Sequence, residues 1–184
     1  MSQLASREQL RMSFMRWALV TIPSILFLGF FMGRISNSGF GNRWFDALQK
    51  PDWFPPGWVF PLVWTPLYVM LGVAIAMILH ARGARGRLQA IALFVTQLLL
   101  NFAWSPTFFA AHQVTLALWL IAAILILAIA TTFAFAPIRK AAAWLMVPYM
   151  AWLSVATLLA WDMNRLNPDA ETLMPQPART HIAL

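Results

Sequence analysis

Charged residues divide the chain into long apolar runs. Asp, Glu, Lys and Arg are absent from residues 17–33, 53–81, 88–138 and 141–161. A bilayer-spanning helix needs about 20 apolar residues, and the run 88–138 is long enough for two such helices. The polar pair His112-Gln113 near its middle predicts a tight turn between them. The pattern therefore predicts five membrane helices, at about 14–34, 59–81, 88–111, 114–135 and 141–163.

The composition supports a membrane protein and excludes other classes. Hydrophobic residues make up 61% of the chain and charged residues 10%, too apolar for a soluble domain. The net charge of +7 does not indicate nucleic-acid binding, because the basic residues lie between apolar runs. The absence of cysteine excludes disulfides and thiol catalysis. We expect an all-α integral membrane domain over residues 1–167, followed by a polar, disordered tail at 168–184.

The distribution of Lys and Arg predicts the orientation of the chain. Five crossings place the two termini on opposite sides of the membrane. The N-terminal segment and the turns 82–87 and 136–140 carry more Lys and Arg than the first loop and the tail on the other side. Because basic residues accumulate on the cytoplasmic side, we expect a multi-pass protein with a cytoplasmic N-terminus.

Prolines distinguish four of the predicted helices from the fifth. Pro23, Pro66, Pro106 and Pro148 lie in helices one, two, three and five, where each removes a backbone hydrogen bond. Freed carbonyl groups need protein or water around them, so these helices are expected to surround a cavity. Helix four, at 114–135, has no internal proline and is apolar on all sides, which predicts a lipid-facing position with little part in the chemistry.

The sequence contains few residues suited to conventional acid-base, nucleophilic or metal-dependent catalysis. His80 and His112 lie at predicted helix ends and His181 lies in the tail, so no pair has metal-ligand spacing. The few acidic residues near the membrane are not paired for acid-base catalysis. We expect no metal site and no required cofactor.

Tryptophan is unusually abundant, with 10 residues in the chain. Those near the predicted helix ends fit an interfacial aromatic belt. Trp64, Trp104 and Trp152 lie further inside, where a belt does not explain them. Large flat rings close together form a slot for a flat aromatic ligand, and simple core packing is the alternative.

Polar side chains within the predicted helices indicate which faces point inward. Gln97, Asn101, Trp104 and Ser105 share one face of helix three, and amides in hydrocarbon are costly unless they have partners. They either bond neighbouring helices together or line a pocket, and the two roles are compatible. Residues at four-residue steps form two further stripes, Phe60, Trp64 and Tyr68 on helix two and Trp144, Pro148, Trp152 and Ala156 on helix five.

The first loop, residues 34–58, is too long and too aromatic for a simple turn. Trp44, Phe45 and Leu48 recur at near-helical spacing, which predicts a short amphipathic helix lying over the cavity. The Pro-Pro-Gly sequence at 55–57 fixes the re-entry of the chain into the membrane. We call residues 34–58 the lid.

Several separated blocks resemble one family. W-F-D-A-L-Q-K-P-D-W-F-P-P-G-W at 44–58, N-F-A-W-S-P at 101–106 and A-W-L-M-V-P-Y-M-A-W-L-S at 143–154 are similar to the TspO/translocator-protein family of tryptophan-rich proteins. The resemblance covers about residues 14–167. It implies a five-helix bundle, commonly a homodimer, that binds porphyrin or haem-type ligands and, in some members, sterols. It also suggests a bacterial source.

The resemblance implies a set of site residues. Some members promote light-dependent porphyrin breakdown, which would assign a catalytic role to Trp64 and Trp152. A sterol-contact segment would fall on Leu159, Trp161 and Arg165, with Trp161 in place of the tyrosine of that motif. The ligand-binding positions would be Trp44, Phe45, Pro55, Trp64, Asn101, Trp104, Ser105, Trp152 and Ala156.

Two departures from the family pattern concern the ligand. Phe45 stands where many members have tyrosine, which removes a hydroxyl group that could bond a ligand. Ala160 stands where an asparagine is usual at the end of helix five.

Four functions are compatible with these residues. The leading hypothesis is a membrane receptor or scavenger that binds tetrapyrroles and regulates pigment or stress responses, with membrane lipid around it and no nucleic acid. A transporter of porphyrins or sterols is the second, although no buried charges or inverted repeats are visible. The third is a light-dependent porphyrin-degrading protein. The fourth is a structural partner that associates through Gly29-x-x-x-Gly33.

Overall fold

The fold is all-α, with five helices that can each cross a bilayer. A computed structural model describes residues 7–173, within which it contains no strand. Five helices are long and apolar enough to span a membrane, which confirms the predicted architecture. The helices are α1 (Arg7–Ile35), α2 (Arg43–Ala47), α3 (Val59–His80), α4 (Arg87–Ser105), α5 (Val114–Phe135) and α6 (Lys140–Leu166), with a π-helical turn at Pro106–Ala110 and a 3-10 turn at Ala170–Thr172.

The five long helices form a closed ring. α1 packs on α3, α3 on α6, α6 on α5 and α5 on α4, while α4 contacts both α1 and α3. Successive spans run in opposite directions, so one end of the ring carries the lid and the other carries the turns 81–86 and 136–139. The end away from the lid is solidly packed. Leu71, Ile78, Phe94 and Phe135 are fully buried there, and the rings of the last two stack at 5.8 Å between centroids.

Glycines allow α1 and α3 to approach closely. A Cβ atom on Gly29 would lie 2.3 Å from the ring of Tyr68, and one on Gly72 would lie 2.7 Å from the Cα atom of Ile22. Thr21 Oγ1 donates a hydrogen bond of 2.8 Å to the carbonyl oxygen of Gly72. The first glycine of the Gly29-x-x-x-Gly33 motif is therefore used for packing within the chain.

The predicted lipid-facing position of helix four, which is α5 in the structure, holds for only one side of the helix, where Trp119 and Phe133 are exposed. One face of α5 is buried, at Ala117, Ile121, Ile124 and Ala128, and the two isoleucines reach the cavity described below. A helix that is apolar on every side carries no pattern that identifies its inner face. α1 is the more peripheral helix, because Ile25 is its only buried residue between positions 12 and 35.

The lid contains the predicted short amphipathic helix, α2. Asn42 caps it, because its Oδ1 atom accepts hydrogen bonds from the backbone N–H groups of Trp44 (3.1 Å) and Phe45 (3.2 Å). The Nδ2 atom of the same side chain donates to the carbonyl oxygen of Phe109 at 3.2 Å. Trp44, Phe45 and Leu48 are all buried, so the apolar face of α2 points into the protein.

The lid is also bonded to the end of α6 and the chain after it. Asn167 exchanges two hydrogen bonds with the backbone of Gln49, at 2.7 and 2.8 Å. The indole N–H of Trp53 donates to Asp162 at 3.0 Å, and that of Trp44 donates to the carbonyl oxygen of Ala170 at 2.9 Å. These contacts hold the lid closed over the ring.

The predicted disordered tail begins with ordered residues. Ala170 is 2% exposed and packs with Trp44 and Phe108 in the cluster beneath the lid. The composition of the tail could not predict this contact. The indole N–H of Trp44 bonds to the backbone carbonyl oxygen of Ala170, a group that every residue has. Residues 174–184 lie outside the described part of the chain.

Candidate ligand-binding site

A cavity of about 780 Å³ occupies the lid end of the helix ring. All five long helices and the lid contribute to its wall, which is mainly apolar. Its volume lies within the usual range of small-molecule sites, about 300–1,000 Å³. The packed end of the ring closes it below, and the lid covers it above.

Aromatic side chains form much of the wall. Trp64 lies 5.0 Å from Tyr68 between ring centroids, and Trp152 lies 6.1 Å from Phe60. Trp104 is stacked on Phe108 at 5.1 Å, with 9° between the ring planes. Its indole N–H donates to the carbonyl oxygen of Ala117 at 3.0 Å, which fixes the ring against α5. The cavity therefore presents several flat, rigid surfaces to a ligand.

A chain of hydrogen bonds crosses the inner end of the cavity. Tyr68 donates to Asn101 Oδ1 (3.3 Å), and Asn101 Nδ2 donates to Tyr149 Oη (3.2 Å). Tyr149 donates to Gln97 Oε1 at 2.8 Å. Gln97 is fully buried beneath the cavity, whereas Asn101 also lines it. Both roles considered for these amides therefore occur, with Gln97 only linking helices and Asn101 linking helices and facing the cavity.

Most of the predicted ligand-binding residues meet at this cavity. Trp64 lies on the part of the wall formed by α3, and Asn101, Trp104 and Ser105 lie on the part formed by α4. Phe45 of the lid and Trp152 and Ala156 of α6 also line the cavity.

Trp44 and Pro55 are not part of the wall. Trp44 is 1% exposed and stacks on His112, with 4.3 Å between ring centroids. It and Phe45 are consecutive on α2, about 100° apart around the helix, so they face different parts of the interior. Phe45 faces the cavity, while Trp44 fastens the lid to the rest of the protein. Pro55 lies between two wall residues, Phe54 and Gly57, without lining the cavity itself.

The stripe predicted on helix five only partly faces inward. Trp152 and Ala156 line the cavity, but Trp144 is 72% exposed. Each four-residue step advances about 40° around an α-helix, so Trp144 and Ala156, which are three steps apart, differ by about 120° in direction. Trp144 also lies at the end of the ring opposite the lid.

The suggested sterol-contact residues do not form one surface. Leu159 lines the cavity, whereas Trp161 is 56% exposed on the outside of the ring. Arg165 is paired with Asp162 at 3.4 Å on the exposed end of α6. The three side chains therefore have three different surroundings.

Sequence reasoning placed helix one beside the cavity, through Pro23, but named none of its lining residues and missed one buried tyrosine. Phe30, Gly33 and Arg34 of α1 line the cavity. Tyr149 supplies the hydroxyl group between the two amides. Tyr149 follows Pro148 in an apolar part of α6. A hydroxyl group in such a segment needs a hydrogen-bond partner, and this could have identified Tyr149 from the sequence.

Lys50 is the basic residue of the lid that follows α2. Its ammonium group donates to the carbonyl oxygens of Phe45 (2.8 Å) and Leu48 (3.2 Å), just after α2 ends. It also lies 4.5 Å from the centroid of the Phe45 ring. Partial burial lowers the pKa of Lys50, and the nearby Asp46 carboxylate acts in the opposite direction. Lys50 therefore provides hydrogen-bond donors for the backbone carbonyl groups at the C-terminal end of α2, the short helix that carries Phe45.

Comparisons with known proteins identify the family of this chain. The TspO/MBR family matches residues 19–166. The chain belongs to this family. Its TspO/MBR relatives include a "Tryptophan-rich protein TspO" of Chlorobaculum tepidum, 38% identical over 126 residues, which are 68% of this chain and 80% of the relative.

Two further TspO/MBR relatives extend this similarity. A "Tryptophan-rich sensory protein" of Cereibacter sphaeroides is 37% identical over 126 residues, 68% of this chain and 78% of the relative. The human "Translocator protein" is 38% identical over 142 residues, 76% of this chain and 84% of the relative. The five apolar spans and the family membership together establish a multi-pass membrane protein.

Proposed function

We propose that this TspO/MBR protein is a membrane receptor or scavenger that binds a tetrapyrrole, such as protoporphyrin or haem, in the cavity beneath the lid. The observation that carries the proposal is the arrangement of Trp64, Trp104 and Trp152 around one cavity of about 780 Å³. A macrocycle needs flat apolar surfaces to stack on and enough volume for its ring.

The cavity suits a ligand that is mainly apolar and carries a few polar groups. Asn101, Ser105 and the hydroxyl group of Tyr68 lie among the aromatic side chains of the wall. The indole N–H of Trp152 is buried and has no partner within the described residues. A buried donor without a partner is costly, and a ligand acceptor beside it would recover that energy.

Titration of the detergent-purified protein tests this proposal. Protoporphyrin, haem and a sterol are added separately in the dark, and binding is followed by quenching of tryptophan fluorescence and by the porphyrin absorption spectrum. Saturable binding of the tetrapyrroles, with a shifted absorption band, is the expected result. Saturable binding of the sterol alone would replace the tetrapyrrole with a different ligand class.

Light-dependent porphyrin degradation is a second candidate function. It is favoured by the placement of Trp64 and Trp152, whose indole rings both line the cavity in which the porphyrin would lie. Light absorbed by the bound porphyrin would activate dioxygen, which would add to one of these electron-rich indole rings as a peroxide. The peroxide would then transfer one oxygen atom to the porphyrin and keep the other as a hydroxyl group on the indole. Phenylalanine retains a stacking face but lacks the indole, so Trp64→Phe and Trp152→Phe are expected to bind porphyrin and to bleach it more slowly in light. Bleaching at the parental rate would show that these tryptophans serve packing alone.

A further inference from the structure

A second cavity, which we call the outer groove, lies on the other side of α2 from the main cavity. Its volume is about 440 Å³. It is lined by residues of three segments, 35–37 at the end of α1, 41–44 at the start of α2 and 109–112 before α5. The buried Asn42 joins all three, because its Nδ2 atom donates to the carbonyl oxygens of Asn37 (3.1 Å) and Phe109 (3.2 Å). The backbone around the groove is therefore held in place before any ligand binds.

Two basic side chains, Arg43 and His112, line the outer groove. The imidazole ring of His112 is held by stacking on Trp44, with 4.3 Å between ring centroids and 16° between the ring planes. No acidic side chain of the described residues lines the groove, although Asp46 accepts a hydrogen bond of 3.0 Å from the N–H of Gly41, which does. Arg43 forms no ion pair within the part of the chain that the structure describes. The groove therefore offers guanidinium and imidazole N–H donors to an anion.

An apolar surface of α1 extends from the outer groove into the bilayer. Ile35 lines the groove and is 57% exposed. Phe31 and Phe27 follow one and two turns deeper, both exposed, with their rings stacked at 5.6 Å between centroids. Trp53 and Trp58 are exposed at the same end of the protein, and exposed indole rings mark the level of the lipid headgroups. A basic groove at headgroup level thus lies above an apolar surface about 12 Å long.

We propose that the outer groove binds the headgroup of an anionic phospholipid from the leaflet on the lid side. The phosphate group accepts hydrogen bonds from Arg43 and His112, and an acyl chain lies along Phe31 and Phe27. A zwitterionic lipid has the same phosphate but brings a cationic group close to Arg43, where like charges repel. The site does not depend on the ligand of the main cavity, because Trp44 lines the groove and Phe45 lines the main cavity.

Phosphatidylglycerol and phosphatidylcholine with the same acyl chains provide the test. The full-length protein is purified in detergent and washed free of lipid, and the dissociation constant of each lipid is measured by native mass spectrometry for the parent and Arg43→Gln. Arg165→Gln is the matched control, since Arg165 is an exposed arginine at the lid end that does not line the groove. Arg43→Gln removes a cation from the first turn of α2, where positive charge is unfavourable, so a loss of binding would not come from unfolding of that helix.

We expect the parent and Arg165→Gln to prefer phosphatidylglycerol by about 10-fold, equivalent to about 1.4 kcal/mol, and Arg43→Gln to lose that preference. Phe31→Ala should weaken the binding of both lipids several-fold and leave the preference unchanged, because it removes only apolar surface.

Three results would overturn the proposal. An equal preference in the parent and Arg43→Gln would exclude the headgroup contact. Unchanged affinity of Phe31→Ala for both lipids would exclude the acyl-chain contact. Displacement of phosphatidylglycerol by an equal concentration of inorganic phosphate would show that the groove is a site for free anions and not for a lipid.

Discussion

Replacing Gly29 with alanine tests how α1 is held against the ring. The added Cβ atom would lie 2.3 Å from Cε2 and 2.5 Å from Cζ of Tyr68, so the tyrosine ring or α1 has to move. Tyr68 also donates its hydroxyl hydrogen to Asn101, and a shift of its ring would break that hydrogen bond. The substitution therefore acts on the packing of α1 and on the polar chain at the inner end of the cavity.

Gly33→Ala is the matched control, because it lies one helical turn away in the same helix. A Cβ atom on Gly33 would approach only Ser38 Oγ, at 3.9 Å, which is an ordinary contact. Both substitutions gain about the same helix propensity, roughly 1 kcal/mol, so that contribution cancels between them. What remains for Gly29→Ala is overpacking, about 1–3 kcal/mol, and the lost hydrogen bond, about 1 kcal/mol.

We therefore expect Gly29→Ala to be about 2–4 kcal/mol less stable than Gly33→Ala. The free energy of unfolding is measured for both variants and the parent by titrating the detergent-solubilised protein with SDS and following helix content. Gly33→Ala should match or slightly exceed the parent. Equal midpoints for the two alanine variants would refute the close contact between Gly29 and Tyr68 and the packing argument built on it.

Three further outcomes follow from the structure. Trp104→Ala should weaken porphyrin binding by about 1–3 kcal/mol, whereas Trp119→Ala, at a side chain 69% exposed to lipid, should leave the dissociation constant unchanged. Reporter fusions should place the N-terminus in the cytoplasm and the C-terminus on the other side, and both ends on one side would contradict five crossings. Asn167→Ala removes both hydrogen bonds to Gln49 and should speed ligand dissociation several-fold in stopped-flow measurements, while Asn164→Ala, which loses only a bond to Thr115, should not.

The sequence predicted those parts of the fold that depend on local patterns. The lengths of the apolar runs identified five spans, and the spacing of Asn101, Trp104 and Ser105 identified the inner face of helix three. Both predictions follow from helix geometry and from the cost of polar groups in hydrocarbon. The structure confirms the spans and places these three side chains on one cavity.

Features that depend on contacts between distant segments could not be predicted. Whether Trp44 or Phe45 faces the cavity depends on how α2 packs against the helix ring. Trp44 points away from the cavity because it stacks on His112 and donates a hydrogen bond to the carbonyl oxygen of Ala170. The inner face of α5 is set by its neighbours, since Ile121 and Ile124 differ in no local way from the isoleucines facing lipid. The cavity position of Arg34 likewise depends on where α1 ends beneath the lid.

The solid packing of the end opposite the lid makes the cavity a dead end. A molecule that enters beneath the lid meets the fully buried side chains of Leu71, Phe94 and Phe135, which lie across its path to the other end of the ring. In this conformation, arrival and departure therefore use the same half of the bilayer. Passage to the opposite face would require the stacked rings of Phe94 and Phe135 to separate, and it would expose the fully buried Gln97 along the route.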